Sequence, residues 1–258
     1  AVSFYRPIAH GRPTPSGGDC GAISDAVMTA YYNEIEPYAA EWLRNLIKAG
    51  LIADGEVDTR SIVDVQADDL RGFTQCHFFA GIGGWSYALR LAGWPDDRPV
   101  WTGSCPCQPF SSCHNHTAKR YADDRNLWPV WARLITASTP RAVFGEQVVD
   151  AGDWVDVVCN DLEALGYEFG ASVLPACCVG SDHARPRIFF VGDSHMHGEP
   201  SIARHAKEVG GVPRHRGIKQ ELAFEDGLSR RVGAMRAYGN AIVPQVAAEF
   251  ISAFMEAA

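Results

Sequence analysis

Apolar strand-like segments alternate with helix-like segments along most of this 258-residue chain. Short apolar runs predict strands, and apolar residues at helical spacing, such as Tyr38, Trp42 and Leu46, predict helices. The predicted strands are 30–32, 61–65, 76–79, 99–102, 141–144, 169–176 and 188–191, and the predicted helices are 38–49, 85–91, 127–138, 155–165 and 244–255. Strands that alternate with helices form a mainly parallel sheet with helices on both faces, so the sequence predicts an α/β fold.

Charge is unevenly distributed along the chain. The net charge is −8, which argues against indiscriminate binding of nucleic acid, yet residues 203–236 contain eight Lys or Arg and four Asp or Glu. This basic stretch suits a local nucleic-acid surface, and a solvated loop is the plainer interpretation. We find no apolar run of membrane-spanning length and no secretory signal, and the eight cysteines are irregularly spaced. We therefore expect reduced thiols, a cytoplasmic location and no membrane partner.

A proline-flanked cysteine follows the predicted strand 99–102. In Cys105-Pro106-Cys107-Gln108-Pro109, two prolines fix the backbone on both sides of Cys107 and remove two backbone donors. A thiol held in one orientation is a candidate nucleophile, although a free cysteine is often only a small core residue. A zinc-binding module is a third interpretation, because three further metal-ligand side chains follow closely: Cys113, His114 and His116.

A glycine loop, Phe79-Ala80-Gly81-Ile82-Gly83-Gly84, connects the predicted strand 76–79 to the predicted helix 85–91. Glycines let the backbone approach a ligand closely, and a parallel sheet binds cofactors at the carboxyl ends of its strands. Many α/β turns need glycine for other reasons, so this loop alone is weak evidence for a cofactor.

Five motifs together resemble those of the DNA cytosine-5 methyltransferases. They are the glycine loop 79–84, the cysteine loop 106–111, the segment Phe144-Gly145-Glu146-Gln147-Val148, the pair Arg185-x-Arg187, and Gly239-Asn240-Ala241-Ile242-Val243-Pro244. Two positions depart from the family pattern, because Gln147 stands where the family has Asn and His183 stands where it has Gln. The resemblance covers residues 28–192 and 229–255, and it implies the Rossmann-like fold of the S-adenosylmethionine-dependent methyltransferases.

The resemblance also implies a chemistry. The family transfers a methyl group from S-adenosylmethionine to C5 of a cytosine that is flipped out of double-stranded DNA. By position in the motifs, Cys107 would attack C6 and Glu146 would bind N3, while Arg185 and Arg187 would hold O2. The cofactor would contact Phe79, Ala80, Gly81, Ile82, Gly83, Gly84, Pro106, Asn240 and Ala241.

The acidic residues that the family places after its glycine loop do not fit between Gly84 and Cys105. Instead, Glu34-Ile35 resembles the family's ribose-binding segment, and Asp58, or alternatively the run 62–64, resembles its adenine-binding segment. We therefore expect a permuted order, in which Glu34 binds the ribose, Ile35 packs on the adenine and Asp58 meets its amino group. Strand 76–79 should then be central in the sheet, with 31–32 next to it and 62–65 further out.

These expectations define the organisation of the chain. Residues 1–27 form an N-terminal extension, 28–192 a catalytic and cofactor-binding domain, 193–228 a short basic target-recognition region, and 229–258 a segment that returns to the catalytic domain. A recognition region this short leaves two alternatives: either the protein reads a lax or very short DNA site, or another chain supplies specificity. We expect a monomer that binds no metal, in a phage or restriction-modification setting. A catalytically silent DNA-binding relative is the alternative to an enzyme.

Overall fold

The computed structural model describes residues 29–106, 126–194 and 241–257. Within these ranges the strands are β1 (Ala30–Asn33), β2 (Gly55–Asp58), β3 (Gln75–Phe78), β4 (Val100–Gly103), β5 (Ala142–Val148), β6 (Glu168–Leu174) and β7 (Arg187–Asp193). The α-helices are α1 (Pro37–Lys48), α2 (Gly84–Leu91), α3 (Trp128–Ser138), α4 (Gly152–Ala164) and α5 (Pro244–Ala257). Short 3-10 helices cover Ile62–Asp64, Ala67–Leu70, Val149–Ala151 and Ala176–Val179.

The seven strands form one sheet in the order β2-β1-β3-β4-β5-β7-β6. The strands from β2 to β5 in this order are parallel, and β7 is antiparallel to both of its neighbours. When β3 is counted as the first strand and β1 and β2 as the second and third, the parallel part has the order 3-2-1-4-5 of a doubly wound nucleotide-binding sheet. The predicted fold class, an α/β fold with a mainly parallel sheet and a permuted strand order, is confirmed.

The permuted strand order is present in the sheet. The strand β3 is central, β1 lies beside it, and Asn33 at the end of β1 is in register with both Phe78 of β3 and Asp58 of β2. The predicted outer strand at 61–65 is wrong, because Ile62–Asp64 is a 3-10 helix and the outer strand is β2. An edge strand buries little, so β2 has the polar sequence Gly-Glu-Val-Asp and gives no apolar pattern, whereas Ile62 is apolar because it packs into the core.

Helices cover both faces of the sheet. One core cluster joins the strands to α3 and α4 and includes the edge-to-face indoles of Trp128, Trp131 and Trp154. On the other face, α2 and α5 pack on Phe144 and Phe189, and α1 packs on β1 through Leu43. Alternate strand residues face opposite layers, which is why a strand such as β5 is buried along nearly its whole length.

A chain of buried polar groups crosses β3 and β4. Nδ1 of His77 lies 2.8 Å from Oγ1 of Thr102, and Nε2 of His77 lies 3.3 Å from Oε1 of Gln75. Burial lowers the pKa of His77 to about 3, with a small opposing effect from Asp96. The imidazole is therefore neutral at physiological pH and is held by its two polar neighbours.

In the described ranges, none of the helices combines the length and apolar character that a membrane-spanning segment requires.

Candidate active site

The candidate active site lies at the edge of the sheet where the parallel strands end. Glu34 follows β1, Gly81 lies in the loop after β3, Cys105 follows β4, and Glu146 lies near the end of β5. The carboxyl ends of adjacent parallel strands meet at one edge of a sheet. The permuted topology therefore brings together segments that are distant in sequence.

Glu34 is bonded directly to the glycine loop. Its Oε2 accepts a hydrogen bond of 2.7 Å from the backbone N–H of Gly81, and its Oε1 accepts one of 2.8 Å from the backbone N–H of Glu36. Burial raises the pKa of Glu34, and the two backbone amides oppose that effect. Each carboxylate oxygen has two acceptor positions, so each keeps one position for a ligand hydroxyl.

The glycine loop has one open side and one packed side. Gly81 has a φ of +56°, and a Cβ at this position would meet nothing within 4 Å. At Gly84, by contrast, a Cβ would lie 2.8 Å from the side chain of Ile242. Phe79 also has a positive φ, of 51°, which is rare for a bulky residue and typical of ligand-binding loops. The open backbone at Gly81 lets a ligand approach beside Glu34.

Two other predicted cofactor residues lie at the same edge. Ile35 exposes 64% of its surface next to Glu34, so its side chain is open to an aromatic ring. Asp58 ends β2, a strand that the sequence analysis did not predict, and its Oδ2 accepts hydrogen bonds from the hydroxyl of Tyr31 at 2.6 Å and from Nη2 of Arg60 at 2.7 Å. Burial alone would raise the pKa of Asp58, and the bonds from Arg60 and Tyr31 more than offset it, so the pKa is lowered. A contact between Asp58 and an amino group stays a prediction, and it requires one of these bonds to open.

Glu146 is a buried carboxyl paired with an arginine on the next strand. Its side chain is 8% exposed, and its Oε1 lies 2.9 Å from Nε of Arg187. Burial raises the pKa of Glu146 to about 7, and the charges of Arg187 and Arg185 oppose that rise. Burial therefore favours the protonated form of Glu146 more than in an exposed carboxyl, which suits a group that exchanges a proton with a substrate.

Arg185 takes a different position from Arg187. We expected strand alternation to put both guanidinium groups on one face, but β7 begins at Arg187, and Arg185 precedes it with a φ of 31°. Nη2 of Arg185 donates a hydrogen bond of 2.8 Å to the carbonyl oxygen of Ala241. Burial and the charge of Arg187 lower the pKa of Arg185, and Glu146 opposes this. Arg185 thus joins the start of β7 to the last sequence motif, while its charge still acts on Glu146.

The base of the cysteine loop is held from two sides. Nε1 of Trp85 donates a hydrogen bond of 3.1 Å to Oγ of Ser104, and Nε2 of Gln147 donates one of 3.1 Å to the carbonyl oxygen of Cys105. Our sequence analysis did not identify Trp85. Its position directly after Gly83 and Gly84 could have indicated that it lies near the site. Pro106 is the last described residue of this segment, and the predicted nucleophile Cys107 lies outside the described residues.

A groove of about 460 Å³ runs along the packed side of the glycine loop. Its walls include Ile82, Gly83, Gly84, Arg185 and Ala241. Ala241 thus lies near the glycine loop, and its contact with the cofactor stays a prediction, while Asn240 lies outside the described residues. Glu34 and Asp58 lie outside this groove, so the groove and the open face at Gly81 are separate features of the loop.

Of the five side chains that suggested a zinc module, Cys105 alone lies in the described part of the chain, where it is buried. Among the described residues, no group of three or more His, Cys, Asp and Glu side chains could hold a metal ion. The other four side chains lie outside these ranges, so the zinc interpretation remains untested.

Known proteins resemble this chain over its catalytic motifs. Residues 95–210 match the C-5 cytosine-specific DNA methylase family. The Type II methyltransferase M.HhaI of Haemophilus parahaemolyticus is 26% identical over 171 residues, which cover 50% of this chain and 52% of that protein. The Type II methyltransferase M.NlaX of Neisseria lactamica is 32% identical over 102 residues, which cover 37% of this chain and 32% of that protein. The chain thus spans about half the length of M.HhaI and about a third of M.NlaX.

Solved structures also resemble this chain. The crystal structure of the S. pombe Dnmt2 methyltransferase has a TM-score of 0.40 and 15% identity, and the match covers 68% of this chain and 53% of that chain. The structure of the Entamoeba histolytica methyltransferase EhMeth has a TM-score of 0.40 and 12% identity, and the match covers 70% and 57% of the two chains.

The family match begins at residue 95, after the glycine loop. C-5 cytosine methyltransferases use S-adenosylmethionine as their methyl donor. Over residues 95–210 the chain is similar to the C-5 cytosine-specific DNA methylase family, and parts of it are similar to two Type II methyltransferases.

Proposed function

We propose that this chain transfers a methyl group to C5 of a cytosine in double-stranded DNA through a covalent bond between Cys107 and C6. The observation that carries the proposal is the environment of Glu146. This buried carboxyl has a pKa raised to about 7, is paired with Arg187, and adjoins Gln147, which holds the base of the cysteine loop. A carboxyl that holds a proton at neutral pH therefore lies next to the loop that carries a candidate nucleophile.

Glu146 supplies the acid of the reaction. In its protonated form it donates a hydrogen bond to N3 of the cytosine, and transfer of that proton makes C6 more electrophilic. A general acid works best when its pKa lies near the working pH, and burial of Glu146 provides this condition. The neighbouring charge of Arg187 keeps the pKa from rising further, so that the proton can leave the carboxyl.

Arg187 has donors to spare for the base. Its Nε pairs with Glu146 and its Nη1 donates to the carbonyl oxygen of Pro186 at 3.0 Å, while a guanidinium has five N–H donors in all. The remaining donors suit the O2 atom of cytosine. We assign Arg185 a supporting part, because its guanidinium also bonds to Ala241 and its charge stabilises the ionised form of Glu146.

Cys107 follows directly after Pro106. As a thiolate it would form the C–S bond at C6, and the electron pair of the C5–C6 double bond would move to C5, which would take up the methyl group as the methyl–sulfur bond breaks and leaves its electron pair on the sulfur as a neutral thioether. A base removes the C5 proton, the electron pair restores the double bond, and the C–S bond breaks to release Cys107. C5 and C6 are hidden inside a duplex, so the target cytosine must leave the base stack before this attack.

S-adenosylmethionine supplies the electrophilic methyl group when it is bound. The free acceptor positions of Glu34 suit the two ribose hydroxyls, the open backbone at Gly81 leaves space beside them, and exposed Ile35 offers a surface for the adenine. We assign the rest of the glycine loop (Phe79, Ala80, Ile82, Gly83 and Gly84), together with Pro106, Asn240 and Ala241, to the remainder of the cofactor. The described residues of this set fit S-adenosylmethionine, because Glu34 and Gly81, which would both contact it, lie within hydrogen-bond distance of each other.

We assign DNA recognition to residues 193–228. We expect the protein to act as a monomer on double-stranded DNA, either at a short site or with a second chain that adds specificity. Five described cysteines are free thiols: Cys76, Cys105, Cys159, Cys177 and Cys178. Free thiols are typical of a reducing compartment, so we propose a cytoplasmic location.

Covalent trapping on DNA that contains 5-fluorocytosine tests the function. After methyl transfer, C5 of this base carries fluorine instead of a removable proton, so Cys107 stays attached to C6. We expect the wild-type protein with S-adenosylmethionine to form an adduct that survives denaturing electrophoresis. We expect Cys107→Ser to form none and Cys105→Ala, the matched thiol control, to form it. A folded wild-type protein that binds DNA but forms no adduct would instead be a catalytically silent DNA-binding relative.

A further inference from the structure

We propose that Trp85 is a positioning residue for the reaction and that it acts through Ser104 on the cysteine loop. The inference deepens the proposed function and rests on it. Trp85 opens helix α2 directly after the cofactor loop, and Ser104 precedes the cysteine loop by two residues. The hydrogen bond between them is therefore a direct link between the segment that would hold the cofactor and the segment that would hold the nucleophile.

The indole of Trp85 has a fixed orientation. It is 3% exposed, and its ring contacts Phe144 of β5 and Phe189 of β7, with centroid separations of 6.3 Å and 6.1 Å. A buried aromatic ring in a close-packed core cannot turn without displacing its neighbours. Nε1 is thus held in one direction, towards Oγ of Ser104 at 3.1 Å.

Ser104 is one of three consecutive residues that are each held by neighbouring elements of the fold. Gly103 is in register with Phe78 of β3 and Gly145 of β5, Ser104 receives the bond from Trp85, and Cys105 is held at its carbonyl by Gln147. The chain therefore enters Pro106 in a defined direction. Loss of one of these contacts should turn the segment that leads into Cys107.

This link has a functional consequence. A nucleophile must lie within a few tenths of an ångström of its attack position, and a displacement of about 1 Å can cost about a hundredfold in rate. Removal of the Ser104 hydroxyl leaves the buried indole N–H of Trp85 without this acceptor, so it should lower stability somewhat. It should nevertheless lower the rate of attack far more than it lowers cofactor affinity.

The test compares four single variants, and the double variant of Ser104→Ala with Trp85→Phe, by the rate of adduct formation on 5-fluorocytosine DNA at saturating cofactor. Ser104→Ala removes the acceptor, Ser104→Thr keeps a hydroxyl, and Trp85→Phe removes the donor but keeps a ring. Thr136→Ala is the matched control, since it removes a hydroxyl that bonds within α3 to the carbonyl oxygen of Ala132. Cofactor affinity is measured by calorimetry, and the unfolding temperature is measured for each variant.

We expect Ser104→Ala to slow adduct formation by about tenfold or more, with cofactor affinity within about twofold of wild type and an unfolding temperature lower by no more than about 4 °C. Ser104→Thr should restore most of the rate, and Thr136→Ala should leave it unchanged. The double variant with Trp85→Phe should be no slower than the slower single variant, because both changes break the same bond.

A rate for Ser104→Ala equal to that of wild type overturns the inference, as does a loss that Ser104→Thr does not restore. Either result leaves the proposed function intact, because wild-type protein still forms the adduct. If wild-type protein forms no adduct, the proposed function itself fails. Adduct formation by the wild-type protein therefore distinguishes a failure of this inference from a failure of the proposed function. Should Trp85→Phe fail to fold, the Ser104 variants decide the question without it.

Discussion

The backbone N–H of Gly81 lies 2.7 Å from Oε2 of Glu34, although the two residues are 47 positions apart. The contact exists because β1 and β3 are parallel neighbours, so that the residues after their last positions meet at one edge. In the usual order of the family's motifs, the glycine loop would come before the acidic residue. Here the acidic residue comes first in the chain, and the sheet still brings the two together.

Glu34→Ala should weaken cofactor binding, whereas Glu36→Ala should mainly lower stability. Charge-assisted hydrogen bonds to ribose are worth about 1.5–3 kcal/mol, so Glu34→Ala should raise the dissociation constant by roughly tenfold to a hundredfold. The carboxylate of Glu36 instead caps α1 by accepting the N–H of Ala39 at 2.8 Å, and loss of such a cap costs about 1 kcal/mol of folding free energy.

Calorimetry with S-adenosylmethionine and thermal unfolding of both variants measure these effects. Weaker cofactor binding in Glu36→Ala than in Glu34→Ala would show that the ribose segment is misaligned.

Arg187→Met should raise the pKa of Glu146 above its value of about 7. A positive charge next to a carboxyl favours its ionised form, so removing the charge favours the protonated form. Arg185→Met is the matched control and should raise the pKa by less, because Arg185 acts at longer range and only through its charge. NMR titration of the Glu146 carboxyl carbon measures the pKa of Glu146 in the wild type and in both variants. A pKa that is unchanged or lower in Arg187→Met would contradict this assignment.

Acid should destabilise the protein through His77. Its pKa is about 3 in the folded protein and 6.5 in the unfolded chain, so below pH 6.5 only the unfolded chain binds the proton. The stability contributed by neutral His77 is complete above pH 6.5 and is lost as the pH falls towards 3. Between pH 6.5 and 5 the loss should be about 2 kcal/mol.

Urea unfolding of wild type and His77→Gln at pH 7 and pH 5 isolates this effect, because other titrating groups are common to both proteins. We expect the wild type to lose about 2 kcal/mol more than the variant does. Equal losses in the two proteins would mean that His77 titrates normally in the folded state.

The sheet was largely predictable from the sequence, because buried parallel strands are apolar on both faces. The runs around Tyr31, Phe78 and Phe144 could only be interior strands. The edge strand β2 was not predictable in this way, since half-exposed strands carry no such pattern. The permutation was inferred from the resemblance of the Glu34 and Asp58 segments to motifs that normally come later.

The finer contacts of the site depend on side chains that no pattern reveals. The bonds of Asp58 with Tyr31 and Arg60 arise from residues on two strands and the loop after them. Arg185 precedes β7 with a left-handed backbone, which breaks the alternation that its sequence spacing suggested. The contact of Trp85 with Ser104 depends on the distance at which α2 packs against β4. Sequence patterns do not predict that distance.

Transfer of a labelled methyl group tests the central claim most directly. DNA is incubated with the protein and S-adenosylmethionine that carries a trideuterated methyl group, then digested to nucleosides and analysed by mass spectrometry. The account predicts the label in 5-methylcytosine with wild-type protein and none with Cys107→Ser, which should still bind the cofactor. Label on another position of the base, label produced equally by Cys107→Ser, or no label from a folded protein that binds both DNA and cofactor would contradict it.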